Sequence, residues 1–123
     1  MGKSEKKQFL QGYKWIVARI EAINVELDKP VYDYVKFKGE KAEKDAVKHV
    51  SKGERLLAER NGLEKKKKAI EDAVAAVKDN RESILLNSVY ISGKSAIEVS
   101  HDMGISVRTV YRILDAAIDS VQI

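Results

Sequence analysis

The chain has 123 residues, 34% of them charged, with one proline, seven glycines and no cysteine; it has room for one domain, or a small domain with a helical arm, and excludes disulfides and thiolate metal sites. No apolar run approaches the roughly 18 residues that span a bilayer, and no apolar signal-peptide core follows the first residues, so no membrane partner and a cytoplasmic setting are expected. The net charge of +4 is unevenly divided, with 19 Lys and Arg against 14 Asp and Glu in residues 1–80 and 4 against 5 in residues 81–123.

From about Glu5 to Asp28, Phe9, Tyr13, Ile16, Ile20, Ile23 and Leu27 recur at steps of four and three, the spacing of a coiled-coil seam. Trp15 and Val17 lie off that line, which predicts a wider buried face. Pro30 closes the helix, because its ring cannot sit in a helix interior and disfavours helical geometry at Lys29. Residues 29–40 read as a connector. Val31, Tyr32, Tyr34, Val35 and Phe37 make it apolar enough to pack, with room for a short strand-like segment. Aromatics between Lys29, Lys36 and Lys38 also suit stacking on nucleic acid, though packing is the plainer use.

A second long helix is predicted from about Glu40 to Lys78, with Gly53 and Gly62 as its weak points. Leu56, Leu63, Ile70 and Val77 fall seven apart, and Val74 fills the next seam position. Two such helices joined by a packed connector predict an antiparallel, coiled-coil-like hairpin over residues 1–78. Its leftover apolar edge suits a second copy, so a homodimer is expected. The run Lys65-Lys66-Lys67-Lys68 splays around the helix at about 100° per residue; it reads as a solvated face that can still steer DNA.

Residues 79–123 read as a second, small domain. Asp79 or Asn80 caps a helix over 81–92, with Ile84, Leu85, Val89 and Ile91 as its core, and Gly93 ends it. Ser95 followed by Glu98 is a capping box, each side chain meeting a backbone N–H at the start of the next helix. Gly104 supplies the positive φ that ends this helix, and Ser106 caps another after a turn of three or four residues. Val99, Met103, Ile105, Val110, Ile113 and Leu114 are spaced to share one core. The outward set is Ser106, Val107, Arg108, Thr109, Tyr111, Arg112 and Asp115. Ala117, Ile118 and Val121 form a late apolar face that docks back or dimerises.

The segment from Tyr90-Ile91-Ser92-Gly93-Lys94-Ser95 through Thr109-Val110-Tyr111-Arg112 resembles the C-terminal DNA-binding region of sigma factors, with a helix-turn-helix. With a long helical part before it, the chain is similar to the small phage regulators of the RinA and ArpU type, which activate late genes. The resemblance is detailed over residues 81–121 and architectural before that. Ser100 stands where such motifs place alanine, and serine is small enough to fit. The resemblance implies an all-α regulator of double-stranded DNA in a bacterial host cell, with RNA polymerase as a further partner.

In that use, Ser106 and Thr109 hold phosphates at a helix start, where the helix dipole helps. Arg108 and Arg112, four apart on one face, each reach a guanine through two hydrogen bonds. Tyr111 touches a phosphate or a thymine methyl, and Lys94 a phosphate. Two other uses fit the same residues. One is a protein-interaction module that binds a polymerase, a repressor or another phage protein, favoured by the acidic balance of residues 81–123. The other is a small terminase subunit for DNA packaging, although such proteins place the helix-turn-helix first. No cofactor or catalytic activity is expected. His49 and His101 have no second ligand nearby at metal spacing, and there is no phosphate-binding glycine loop and no serine with an obvious base.

Overall fold

The structure, a computed structural model, describes residues 2–28 and 32–123, and for 32–50 the backbone alone. Every regular element among the described residues is helical. In order these are α1 (Lys3–Leu27), α2 (Tyr32–Ala75), α3 (Asn80–Leu86), a π-helical turn (Asn87–Ile91), α4 (Ala96–Met103) and α5 (Val107–Ser120). The all-α class expected from composition and periodicity is therefore the class observed. Contacts group the chain into two compact units, Val17–Lys65 and a discontinuous unit of Met1–Ile16 with Lys66–Ile123.

Within Val17–Lys65, the end of α1 and the larger part of α2 run antiparallel. The Arg19 guanidinium donates to both carboxylate oxygens of Glu59 at 2.8 and 3.0 Å, and Lys52 Nζ lies 4.0 Å from Glu26 Oε2. Arg60 Nη1 donates to Asn24 Oδ1 at 2.7 Å. Ile20 and Ile23 are buried, and Leu56 and Leu63 half-buried, as the four-three and seven-residue spacings require.

The connector expected over 29–40 is shorter than that, because α2 is already helical at Tyr32. Nothing from Tyr32 to Glu43 forbids a helix. Asp33 at its start suits the helix dipole, and Gly39 costs only about 1 kcal/mol, spread over a run of good helix formers. The same arithmetic carries α2 unbroken through Gly53 and Gly62. The packing or stacking expected of Lys29, Val31, Tyr32, Tyr34, Val35, Lys36, Phe37 and Lys38, the role of Pro30, and the surroundings of His49 lie outside the described residues.

In the discontinuous unit, Leu10 and Tyr13 of α1, Ile70 and Val74 near the end of α2, and Val77 just beyond it are buried. The Tyr13 hydroxyl donates to Glu71 Oε2 at 3.1 Å. Trp15 does not widen the buried face: it is 77% exposed, while Leu10, off the predicted seam, is fully buried. At 100° per residue Leu10 sits beside the Tyr13 line and Trp15 well away from it. Three of the four lysines at 65–68 are exposed and Lys67 is half-buried.

Asp79 caps α3 by accepting from the Glu82 N–H at 3.1 Å, and the Ser83 hydroxyl donates back to the Val74 carbonyl at 3.2 Å. The helix expected over 81–92 changes register after Leu86. Its bonds widen to the π spacing, with the Ser92 N–H on the Asn87 carbonyl at 2.9 Å, and Gly93, at φ +72°, turns the chain out. Ile84 is 52% exposed, against expectation, and Leu86 is fully buried in its place. Adjacent residues 84 and 85 point about 100° apart, so only the face centred on Leu85 and Leu86 goes inward.

Leu85, Val99 and Val110, each at most 1% exposed, form a core on which Val89, Ala96, Met103, Ile105, Ile113 and Leu114 pack. All six residues expected to join α4 and α5 are in this cluster. Both α3 and α4 pack on α5. The late face of α5 docks within the chain, with Ala117, Ile118 and Val121 buried, which leaves those three no surface for dimerisation.

Candidate nucleic-acid-binding surface

Three short-range devices fix the presentation of α5. Ser95 caps α4 by accepting from the Glu98 N–H at 3.2 Å, and its hydroxyl lies 3.3 Å from Glu98 Oε1, so the two side chains also engage each other directly. Gly104 closes α4 in the left-handed region, at φ +65° and ψ +35°. There the Ile105 N–H reaches the Ser100 carbonyl at 3.1 Å and the Gly104 N–H the His101 carbonyl at 3.4 Å; the six-to-one bond is the Schellman closure that glycine permits. Ser106 then caps α5, accepting from the Thr109 N–H at 3.1 Å. The turn is Gly104-Ile105-Ser106, three residues, as the spacing predicts.

Because the core holds Val110, Ile113, Leu114, Ala117 and Ile118, α5 must turn Arg108, Tyr111, Arg112, Asp115 and Asp119 outward. All five are exposed, Tyr111 by 60%. Arg108 and Arg112 are one turn apart with Tyr111 beside them, and neither forms an ion pair among the described residues. Arg112 also borders a shallow groove lined by Asp79, Arg81, Glu82, Ile113 and Ala116. Arg81 is thus a cation beside the predicted set.

The other predicted residues are already engaged. The Ser106 and Thr109 hydroxyls share a hydrogen bond at 2.8 Å. The Val107 and Arg108 N–H groups, at the first two positions of α5, precede the first intrahelical bond, from the Val110 N–H to the Ser106 carbonyl at 3.0 Å. Lys94 Nζ donates to Asp102 Oδ2 at 2.8 Å, and that hydrogen bond raises the Lys94 pKa above its ordinary value. Lys94 therefore reaches a phosphate only by leaving Asp102. His101, in the last turn of α4, is exposed. The Tyr90 phenol, half-buried in the π-helical turn, is pushed up by burial.

Two further lysines reach α5 from the other end of the chain. Lys3 Nζ lies 2.7 Å from Asp115 Oδ2 and 3.2 Å from Asp119 Oδ2. Lys6 Nζ donates to the Asp119 carbonyl at 2.8 Å. Nothing in the sequence marks this meeting, since 113 and 116 residues separate the partners.

Among the described residues there is no cluster of three or more His, Cys, Asp or Glu side chains able to hold a metal ion, and no helix long and apolar enough to cross a membrane. The class so defined is an all-α protein whose helix α5 is held on one face by two short helices and displays on the other two arginines that are unpaired among the described residues. Residues 26–122 match the family model described as a protein of unknown function, DUF1492; the chain belongs to that family. No curated protein and no solved structure matches it.

Proposed function

We propose that this chain is a sequence-specific, double-stranded-DNA-binding transcription regulator of phage type, acting as a homodimer in a bacterial cytoplasm, with α4 and α5 as its helix-turn-helix and RNA polymerase as a further partner. The observation that carries this reading is the outer face of α5, where Arg108, Tyr111 and Arg112 stand together, exposed and, among the described residues, without ion-pair partners. A helix about 10–12 Å across fits the major groove, and two arginines one turn apart suit guanines there. The Ser106 end supplies N–H donors for a phosphate. Lys94, Ser106 and Thr109 are the backbone-contacting set, and Arg108, Arg112 and Tyr111 the base-reading set. The sequence resemblance supports the phage origin and the polymerase partner.

The charge objection weakens once the compact unit is counted instead of residues 81–123. Met1–Ile16 with Lys66–Ile123 carries 12 Lys and Arg against 9 Asp and Glu, so the unit bearing α5 is net basic. A protein-interaction role is favoured by one observation, the 77% exposure of Trp15, since tryptophan is enriched at binding hot spots.

Selection from a random duplex pool at about physiological salt tests the proposal, with Arg108→Ala/Arg112→Ala as control. An enriched motif that disappears in the double variant is the expected result, and two inverted half-sites in it would mark a dimer. Arg112→Ala alone should cost about 1–3 kcal/mol on the best site and relax preference at one position. No enrichment with the wild-type protein would refute DNA reading and leave the interaction role.

A further inference from the structure

The sequence of α5 poses an electrostatic problem that the fold resolves with residues from elsewhere. Its exposed face carries Arg108 and Arg112 in the first half, then Asp115 and Asp119 in the second. Those two carboxylates lie toward the C-terminal, negative end of the helix dipole, where cations are favoured, and the last turn of α5 has no basic residue of its own. They also share the exposed face with the arginines, where they would repel the phosphates of any duplex that the arginines engage.

The first turns of α1 supply what is missing. Lys3 sits between the carboxylates, 2.7 Å from Asp115 and 3.2 Å from Asp119. Lys6 reaches the Asp119 backbone carbonyl at 2.8 Å, capping the negative end of the helix. The hydrogen bond to Asp115 raises the Lys3 pKa above its ordinary value. Lys7, on the next position of α1, is exposed.

We infer that the first two turns of α1 are part of the DNA-facing surface, with Lys3 as a positioning residue that cancels the Asp115 and Asp119 carboxylates and so lets the duplex backbone approach α5. This rests on the reading of α5 as the DNA-binding helix. The surface is therefore built from both ends of the chain, and its partner is the sugar–phosphate backbone flanking the bases that Arg108 and Arg112 read. Lys3 acts on the phosphates indirectly, through the two aspartates, so its effect depends on their charge.

The test is fluorescence anisotropy of a labelled duplex carrying the selected motif, titrated with the full chain at several salt concentrations, with thermal melting followed in parallel. Lys3→Gln should weaken binding roughly three- to tenfold at low salt, the scale of two exposed charge interactions, with the deficit shrinking as salt rises. Lys3→Arg should bind as wild type. The decisive variant is Lys3→Gln/Asp115→Asn/Asp119→Asn, which lacks both the cation and the carboxylates and should return to wild-type affinity or better. If the triple variant stays as weak as Lys3→Gln, or if Lys3→Gln binds as wild type, the inference is overturned while the DNA-binding reading stands. A wild-type chain that binds no duplex overturns both.

Discussion

Adding one methyl group to glycine should have opposite effects at two places in the same compact unit. At Gly104 the backbone lies at φ +65° and ψ +35°, where a Cβ approaches a carbonyl oxygen at a cost of roughly 1–2 kcal/mol. A Cβ built at Gly104 meets no other atom within 4 Å, so the whole cost belongs to the backbone and no packing gain offsets it. At Gly12, inside α1, a Cβ also meets nothing within 4 Å, and the backbone is already helical. There alanine should gain about 0.5–1 kcal/mol by restricting the unfolded chain. Gly104→Ala and Gly12→Ala should therefore differ by about 1.5–3 kcal/mol, with opposite signs relative to wild type. Urea unfolding followed by far-ultraviolet circular dichroism measures both, and unchanged slopes would confirm that stability alone has moved. Gly104→Asn, which tolerates the left-handed region, should fall between Gly104→Ala and wild type. A Gly104→Ala variant as stable as wild type would refute the left-handed closure of α4, and a destabilised Gly12→Ala would refute the open space beside α1.

Leu85 is fully buried where α3 meets α4 and α5, so Leu85→Ala should cost about 2–5 kcal/mol in the same unfolding assay; a loss under about 1 kcal/mol would mean the core is not assembled as described. In Val17–Lys65, the bidentate hydrogen bond from Arg19 lowers the Glu59 pKa below the ordinary glutamate range. A depressed carboxylate stabilises the fold above its unfolded pKa of about 4.3, and that contribution disappears as pH falls through the lower folded value. Wild type should thus exceed Glu59→Gln in melting temperature near pH 6, the two converging in acid; a gap that widens in acid would contradict the pairing.

The local devices could be read before the structure because each depends on a few neighbouring residues. Asp79, Ser95 and Ser106 cap helices where their side chains predict, Gly104 closes one where its lack of a Cβ permits positive φ, and the apolar residues around the Gly104 turn form one core. The departures have physical causes of their own. The connector shortened because nothing between Tyr32 and Glu43 forbids a helix, and sequence pattern alone placed a boundary on aromatic composition. Ile84 and Leu86 exchanged roles because one step along a helix turns a side chain by about 100°, finer than a count of apolar residues resolves. Trp15 stayed out because hydrophobicity does not compel burial. For the candidate surface, Arg108, Tyr111 and Arg112 followed from helical spacing, whereas Lys3, Lys6 and Arg81 are brought near α5 by tertiary packing, which leaves no local mark.

The contact between Lys3 and Asp119, 116 residues apart, also sets an order of events in the cell. A ribosome adding about 5–20 residues per second makes α5 on the order of ten seconds after it makes the start of α1. During that interval the unit that carries α5 remains incomplete. Its assembly waits on α5, so no fragment that stops short of α5 displays the candidate surface whole.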